Sequence, residues 1–150
     1  MVYAEDNHKS EEELTRALIL SHLTAIYIKQ SLGRLSALCG CVVAATGSSC
    51  GITYLMGGNY QQVSFAVQNM IANLTGMICD GAKASCAGKI ANSVEAGIIG
   101  YNMCKTGNNY QPGDGIVGKD VEETLANVGT LAKKGMEKTN EVIIDIMIKE

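Results

Sequence analysis

The sequence predicts an all-α fold, a single compact bundle of about five to six helices whose central helices are nearly free of charge. No Asp, Glu, Lys or Arg stands between Arg34 and Asp80. Gly, Ala, Ile and Val are abundant, whereas the chain has one Phe and no Trp, a composition that favours closely packed helices. The 150 residues fit one domain, residues 1–150, because a chain of this length buries about two thirds of its unfolded surface.

The first predicted helix begins after Ser10. Ser10 is followed three residues later by Glu13, the capping-box pattern in which a hydroxyl and a carboxylate bind first-turn amides. Good helix formers continue to Leu32, and Gly33 is a typical stop. We therefore expect one long helix up to residue 32.

The charge-free region divides at residues 57–59 into two segments, each as long as a buried helix. The first runs from Leu35 to Met56 and the second from Gln61 to Thr75. A third apolar helix is predicted from about Ala84 to Cys104. Small residues recur every three or four positions in the first segment, which would let a neighbouring backbone approach that face: Gly40, Ala44, Gly47 and Gly51.

Two charge-free segments in tandem also raise the possibility of a membrane hairpin. A Gly-Ser-Ser run at residues 47–49, several amides in the second segment and the lack of flanking Lys, Arg and aromatic anchors argue against it. We expect no membrane association, and interpret both segments as central helices of a soluble domain.

The clear loop of the chain is GNNYQPGDGIVGKD, residues 107–120, whose glycines and single proline interrupt regular structure. Asp120 is then a predicted helix N-cap, with Glu123 three positions further on. Residues 142–148 are apolar on too many sides for a free surface helix. We expect this last helix to dock on a core or on a partner.

Charge and cysteine usage restrict the partners and the compartment. The net charge is −3, the acidic residues gather at the two ends, and no basic stripe is present, which argues against a nucleic-acid partner. Six cysteines accompany no secretory signal pattern in residues 1–20, so we expect reduced thiols in the cytoplasm and no disulfide scaffold. Such thiols are mostly packed small hydrophobes, and otherwise metal ligands or nucleophiles.

The stretch MICDGAKASC, residues 77–86, ends the charge-free region with two cysteines, an acid and a base. On one continuous helix Cys79 and Cys86 would lie two turns, roughly 10 Å, apart, too far to share one metal ion. Zinc sites and ferredoxin-type runs use closer cysteine pairs. An iron–sulfur cluster is wide enough to take thiolates from separate helices, but this spacing alone leaves the question open.

Three segments carry a resemblance to a known family: GRLSALCGCVVAATGSSCGITYLMGG, NMIANLTGMICDGAKASCAGKI and GDGIVGKDVEETLANVGTLAKKGMEKTNEVIIDIM. They resemble the C-terminal part of the L-serine dehydratase alpha-chain-like proteins, in particular the subgroup that includes the L-cysteine desulfidases. The likeness extends from about residue 10 to the end of the chain. Its most specific parts are the CGC and CDGAKxxC motifs.

The resemblance implies an oxygen-sensitive [4Fe-4S] cluster held by three cysteines, with no pyridoxal phosphate. In such a site the open iron acts as a Lewis acid on the leaving group while a protein base takes the α-proton. The reaction implied is β-elimination on a small amino-acid substrate, L-serine or L-cysteine, to pyruvate and ammonia, plus sulfide from cysteine. The ligands that match the motifs are Cys39, Cys79 and Cys86.

Other polar residues have two interpretations each. Asp80 and Lys83 either pair and cap a helix start, or orient the cluster or the charged groups of the substrate. Asn69, on an apolar helix face, either contacts substrate or satisfies a backbone carbonyl. His8 and His22 have no partner in the sequence and are not predicted as bases.

The remaining cysteines are predicted to be packed thiols. Cys41 is two residues from Cys39, which on a helix points it about 160 to 200° away, so it is expected to pack unless the helix breaks there. Cys50 and Cys104 are expected to be structural.

The resemblance also implies that this chain needs another part. The family members are longer or two-chain enzymes whose N-terminal portion supplies much of the substrate pocket and, in the desulfidases, a cysteine proposed as the base. We therefore expect this chain alone to be inactive, to need an N-terminal domain or separate chain, and to form homo-oligomers through exposed apolar surface. The alternative is a cluster-free helical interaction or assembly domain. Convergence of the sulfurs distinguishes the two.

Overall fold

The computed structural model describes residues 1–33 and 36–149, and its regular elements are helices. The predicted all-α fold is confirmed, with seven α-helices in these ranges where five to six were expected. They are α1 Val2–Asp6, α2 Glu11–Leu32, α3 Gly40–Leu55, α4 Tyr60–Leu74, α5 Cys86–Thr106, α6 Val121–Thr130 and α7 Glu137–Met147, with a π-helical turn, Leu131–Gly135, between the last two.

Local sequence signals set several helix ends. The Ser10 hydroxyl accepts a hydrogen bond from the Glu13 N–H at 3.2 Å, and the Ser10 N–H donates to the Glu13 carboxylate at 2.9 Å, so the predicted capping box is confirmed. Gly33, at a φ of +85°, ends α2 as predicted. A second capping box, formed by Asn59 and Gln62, starts α4 and was not predicted.

Two of the predicted apolar helices, the first and the third, have starts that differ from the prediction or cannot be compared with it. The predicted start of the first, at Leu35, lies outside the described residues, and α3 begins at Gly40 with Cys39 as its extended N-cap. The third apolar helix begins at Cys86, two residues later than predicted. In the parts of the chain that the structure describes, no helix combines the length and the hydropathy required to cross a membrane.

Helix α3 is the centre of the bundle and packs against α2, α4 and α5. Two glycines allow α3 to lie close to α2. A Cβ on Gly51 would lie 3.0 Å from an α2 carbonyl oxygen, and a Cβ on Gly47 would overlap another such oxygen. The predicted small-residue face is confirmed for these two glycines. It is wrong for Gly40 and Ala44, because both line a groove between α3 and α5 instead.

Two large apolar clusters of buried residues fill the centre of the bundle, and a smaller one lies where α1 packs. The first joins α2, α3, α4 and α6 and contains Ile28, Cys50 and Ile71. The second lies between α3, α4 and α5 and contains Cys39 and Met70. The second cluster extends to the end of the bundle where α3 and α5 begin, and it forms the floor of the site described below.

The last helix, α7, is exposed. None of its residues is buried, and the side chain of Ile146 is 62% exposed. The helix contacts the π-helical turn, and Met147 reaches Gly81 in the loop before α5. The docking expected of this apolar segment is not made within the described residues, so docking on a partner stays a prediction.

Candidate thiol site

Two irregular segments meet at one end of the bundle, the segment before α3 and the α4–α5 loop, residues 75–85. An antiparallel β-bridge pairs Leu38 with Ile78. The Cys39 N–H donates to the carbonyl that precedes Ile78 at 3.1 Å, and the Cys79 N–H donates to the carbonyl that precedes Leu38 at 2.6 Å. The bridge therefore places Cys39 and Cys79 on adjacent stretches of backbone.

The third predicted ligand, Cys86, is the first residue of α5. Its Sγ lies 3.5 Å from the Gly81 carbonyl oxygen in the α4–α5 loop. Cys39 occupies the equivalent end of α3, where it is the N-cap. Both predicted ligands therefore lie at the starts of helices that pack against each other.

Cys41 is a fourth thiol at this end of the bundle. Its orientation away from Cys39 was expected only if one helix ran through both residues, and α3 begins between them, at Gly40. Burial raises the pKa of the Cys41 thiol, and a hydrogen bond with Cys39 and the charges of Cys39, Cys86 and Cys79 raise it further. Cys41 and Cys79 both pack against the apolar cluster that contains Cys39. We call Cys39, Cys41, Cys79 and Cys86 the thiol site.

The other two cysteines lie inside helices, as predicted. Cys50 is fully buried, its Sγ is 4.0 Å from the Val63 carbonyl oxygen, and burial raises the pKa of its thiol to about 12. Cys104 is also buried and donates to the Gln62 carbonyl at 3.5 Å. Burial likewise raises the pKa of Cys104. Both environments keep the neutral thiol.

The acid of the loop pairs with a lysine that the sequence analysis did not single out. The Asp80 carboxylate binds the ammonium of Lys89, one turn into α5, and not that of Lys83. This hydrogen bond lowers the pKa of Asp80 and raises the pKa of Lys89. The suggested pairing with Lys83 is therefore not the one observed, because α5 starts at Cys86 and carries Lys89 over the loop. The sequence did carry a signal for this pair: Lys89 comes three residues after Cys86, which places both on one face of a helix.

Asn69 lies away from the thiol site. Its side-chain nitrogen donates to the Gly100 carbonyl at 3.2 Å and to Asn109 Oδ1 at 3.0 Å, and its oxygen accepts from the Tyr110 N–H at 3.2 Å. Gly100 is fourteen residues beyond Cys86 on α5, roughly 21 Å along the axis. Of the two interpretations of Asn69, satisfaction of a backbone carbonyl is the one observed.

A groove of about 370 Å³ between α3 and α5 opens beside the thiol site. Cys41 and Ser48 line one side of it, and Ile90 and Val94 line the other. The side chains of Ile90 and Val94 are about half exposed. The groove gives solvent, a small molecule or a neighbouring segment access to Cys41.

The donor set of the site can be compared with the requirements of metal centres. Within residues 1–33 and 36–149, no three His, Cys, Asp or Glu side chains are grouped to hold a single metal ion. Iron–sulfur clusters take thiolates, which are soft ligands, and accept them from separate elements of a fold. The thiols at the start of α3, in the loop and at the start of α5 have the chemistry that such a cluster takes, but in the described residues their sulfurs do not converge on one point.

The fold and this site define a helical domain with a cysteine-rich end. The chain belongs to the serine dehydratase alpha chain family, whose model matches residues 1–145. The resemblance noted in the sequence is thereby confirmed at the level of the family. No solved structure matches the chain.

Similar proteins include UPF0597 proteins from three bacteria. The identity is 63% over 147 residues in Phocaeicola vulgatus, 49% over 148 in Desulfitobacterium hafniense and 45% over 150 in Treponema denticola. These alignments cover 98%, 99% and 100% of this chain, but 34%, 34% and 35% of the relatives. The chain therefore spans about a third of the length of the curated relatives that it matches.

Proposed function

We propose that this chain is the cluster-bearing part of an iron–sulfur-dependent lyase that performs β-elimination on L-serine or L-cysteine. The products are pyruvate and ammonia, together with sulfide when cysteine is the substrate. The observation that carries the proposal is the Leu38–Ile78 bridge, because it brings the CGC and CDGAKxxC motifs to one end of the fold. Membership of the serine dehydratase alpha chain family supports it.

Cys39, Cys79 and Cys86 would hold the [4Fe-4S] cluster in this proposal. When bound, the cluster supplies a Lewis acid for the leaving hydroxyl or thiol, so that no pyridoxal phosphate is required. The chain itself contributes the positive ends of the α3 and α5 dipoles, beside which a negatively charged cluster would lie. The apolar cluster beneath Cys39, which is 3% exposed, limits water on the inner side of the site.

The polar residues of the loop differ in what they can offer a substrate. Lys83 is exposed and, among the described residues, forms no ion pair, so its ammonium is our candidate for binding the substrate carboxylate. The Asp80 carboxylate is held by Lys89, and we assign it to the architecture of the loop. We assign Asn69 to the packing of α4 against α5, because its amide is fully engaged there.

We place the general base outside this chain, in the part of the longer relatives that it does not span. Both histidines of the chain, His8 and His22, are exposed and belong to the segments before α3. The groove between α3 and α5, with its half-exposed Ile90 and Val94, is our candidate for the surface on which that part docks. Its opening beside Cys41 would let the docked part complete the substrate pocket. A cytoplasmic setting fits, since the site needs reduced thiols.

The first test is iron and sulfide analysis after anaerobic expression and reconstitution, with a visible absorption spectrum. We expect about four irons per chain in the parent and none in Cys79→Ser. Cys50→Ala is the matched control, because it removes a thiol that lies in the core, and it should keep the parent's iron. A folded parent chain that stays free of iron would contradict the proposal.

A second test addresses the reaction. We would replace the matching third of the Phocaeicola vulgatus protein with this chain, which is 63% identical to it, and measure pyruvate released from L-serine and L-cysteine. We expect activity in the chimera, loss of activity with Cys79→Ser, and none in the isolated chain. An iron-loaded chimera that is inactive on both amino acids would contradict the assigned reaction but not the cluster.

The exposed apolar faces of α5 and α7 favour a second candidate, a cluster-free assembly domain. In that case the chain would bind its partner or itself equally well with and without iron, and Cys79→Ser would leave association unchanged. Sedimentation analysis of the parent and of Cys79→Ser, with and without reconstitution, separates the two candidates.

A further inference from the structure

The backbone that carries Cys79 is held from both sides by one side chain. The Lys89 ammonium donates to the Ile78 carbonyl at 2.9 Å and also binds the Asp80 carboxylate. These two acceptors belong to the residues immediately before and after Cys79. The lysine therefore restrains the position of this cysteine without contacting its sulfur.

The same lysine ties that backbone to the helix that begins with Cys86. Cys86 and Lys89 are three residues apart on α5, so their Cβ atoms lie on one face, roughly 5 to 6 Å apart. Across the loop, the Leu38–Ile78 bridge joins the same segment to Cys39. Lys89 and the bridge together fix the loop between the starts of α3 and α5.

The position of the ammonium also matters for charge. The Lys89 side chain is 20% exposed, and its hydrogen bond with Asp80, followed by smaller contributions from the charge of Asp80 and from Cys39 and Cys86, raises the pKa of its ammonium. A positive charge at this position would offset part of the negative charge of a thiolate-bound cluster. Charge and hydrogen bonding around a cluster are among the factors that set its reduction potential.

We propose that Lys89 is a positioning residue of the thiol site: it holds Cys79 in register with Cys86 for a shared cluster and raises the reduction potential of that cluster. This inference rests on the proposed function. It concerns a residue that lies outside the CDGAKxxC motif and that has no contact with the reacting atoms in our assignment.

The test compares three substitutions in the full chain. Lys89→Met removes the ammonium and keeps most of the apolar stem, whereas Lys89→Arg keeps the charge and the donors. Lys105→Met removes an exposed lysine from the last turn of the same helix and is the matched control. The measurements are iron retention against a chelator, the reduction potential of the cluster, and hydrogen–deuterium exchange of the α4–α5 loop in the cluster-free chain.

We expect Lys89→Met to weaken iron retention by about 10- to 100-fold, the usual cost of removing an outer partner of a metal ligand. The potential of its remaining cluster should move to more negative values, and the Cys79 amide should exchange faster. Lys89→Arg should restore retention and potential. Lys105→Met should behave as the parent in all three measurements.

Parent-like retention, potential and exchange in Lys89→Met would overturn the inference. A second result would also overturn it: the parent chain binds no iron, but Lys89→Met still accelerates hydrogen–deuterium exchange of the α4–α5 loop. In that case the proposed function fails, and Lys89 is a loop anchor with no role at a cluster. If Lys89→Met does not fold, Asp80→Ala carries the test, because it removes one of the two contacts and should give an intermediate loss of iron. Parent-like retention in that variant would then be the overturning result.

Discussion

The six cysteines of this chain form two groups that differ in the backbone beneath them. Those of the thiol site lie where helices begin or where the chain is irregular. The backbone N–H groups of Cys39 and Cys79 form the hydrogen bonds of the bridge. Cys50 and Cys104 lie within helices, beneath neighbouring helices, and burial raises the pKa of both thiols. The comparison teaches that the place where a helix starts, more than the local sequence, decides whether a thiol lies at the end of the bundle or inside its core.

The largest expected difference between the two groups is in thiol alkylation of the cluster-free, reduced chain at pH 8. Cys79 and Cys86 are half-buried at the surface, whereas Cys50 has no exposed area and a thiol pKa of about 12. We expect Cys50 to react at least about a thousandfold more slowly, since its labelling requires unfolding. Mass spectrometry of timed samples measures this, and comparable rates at Cys50 and Cys79 would contradict the comparison.

The next effect concerns two glycines of α3, one against α2 and one between the cysteines of the CGC motif. Gly47→Ala should lower the free energy of unfolding by about 1 to 3 kcal/mol, because the new Cβ would overlap an α2 carbonyl oxygen. Gly40→Ala is the matched control: nothing approaches that position within 4 Å, and we expect it to be neutral or stabilising by about 0.4 to 1 kcal/mol. Urea unfolding measures both, and an equal loss in the two variants would contradict the assigned packing.

The smallest expected effect is that of removing the cap at the start of α2. It tests whether the thiol site depends on that end of the helix. Ser10→Ala removes the hydroxyl that caps the helix and should cost about 1 kcal/mol of stability. It should leave the alkylation rates of Cys79 and Cys86 unchanged, because the cap lies on a different element. Altered rates at those thiols would mean that the two regions are coupled.

The same cap carries a pH dependence. Hydrogen bonds from Ser10 hold the pKa of Glu13 below its ordinary value. A carboxyl group with a lowered folded-state pKa stabilises the fold above its unfolded-state pKa, and this contribution is lost as the pH falls through the folded-state value. We therefore expect acid to lower the melting temperature less in Glu13→Gln than in the parent, and an identical acid profile would contradict the assignment.

Local chemistry determined much of the fold in advance. The capping box at Ser10 and the stop at Gly33 act through residues at most four positions away, so the sequence was sufficient to predict them. The charge-free helices were predictable because burial excludes charge along their whole length. The three motif cysteines were available only through the family resemblance, since their spacing is compatible with packing as well as with a cluster.

Long-range contacts decided what the sequence left open. Leu38 and Ile78 are forty positions apart, and their bridge places Cys39 and Cys79 on adjacent stretches of backbone and stops the backbone from being helical through the CGC motif. The start of α5 then selects Lys89 as the partner of Asp80. Sequence by itself determined which segments are helical and which thiols match the family, because both depend on neighbours along the chain. Only the tertiary structure decided that Cys41 joins the other three thiols, because that depends on where two distant segments meet.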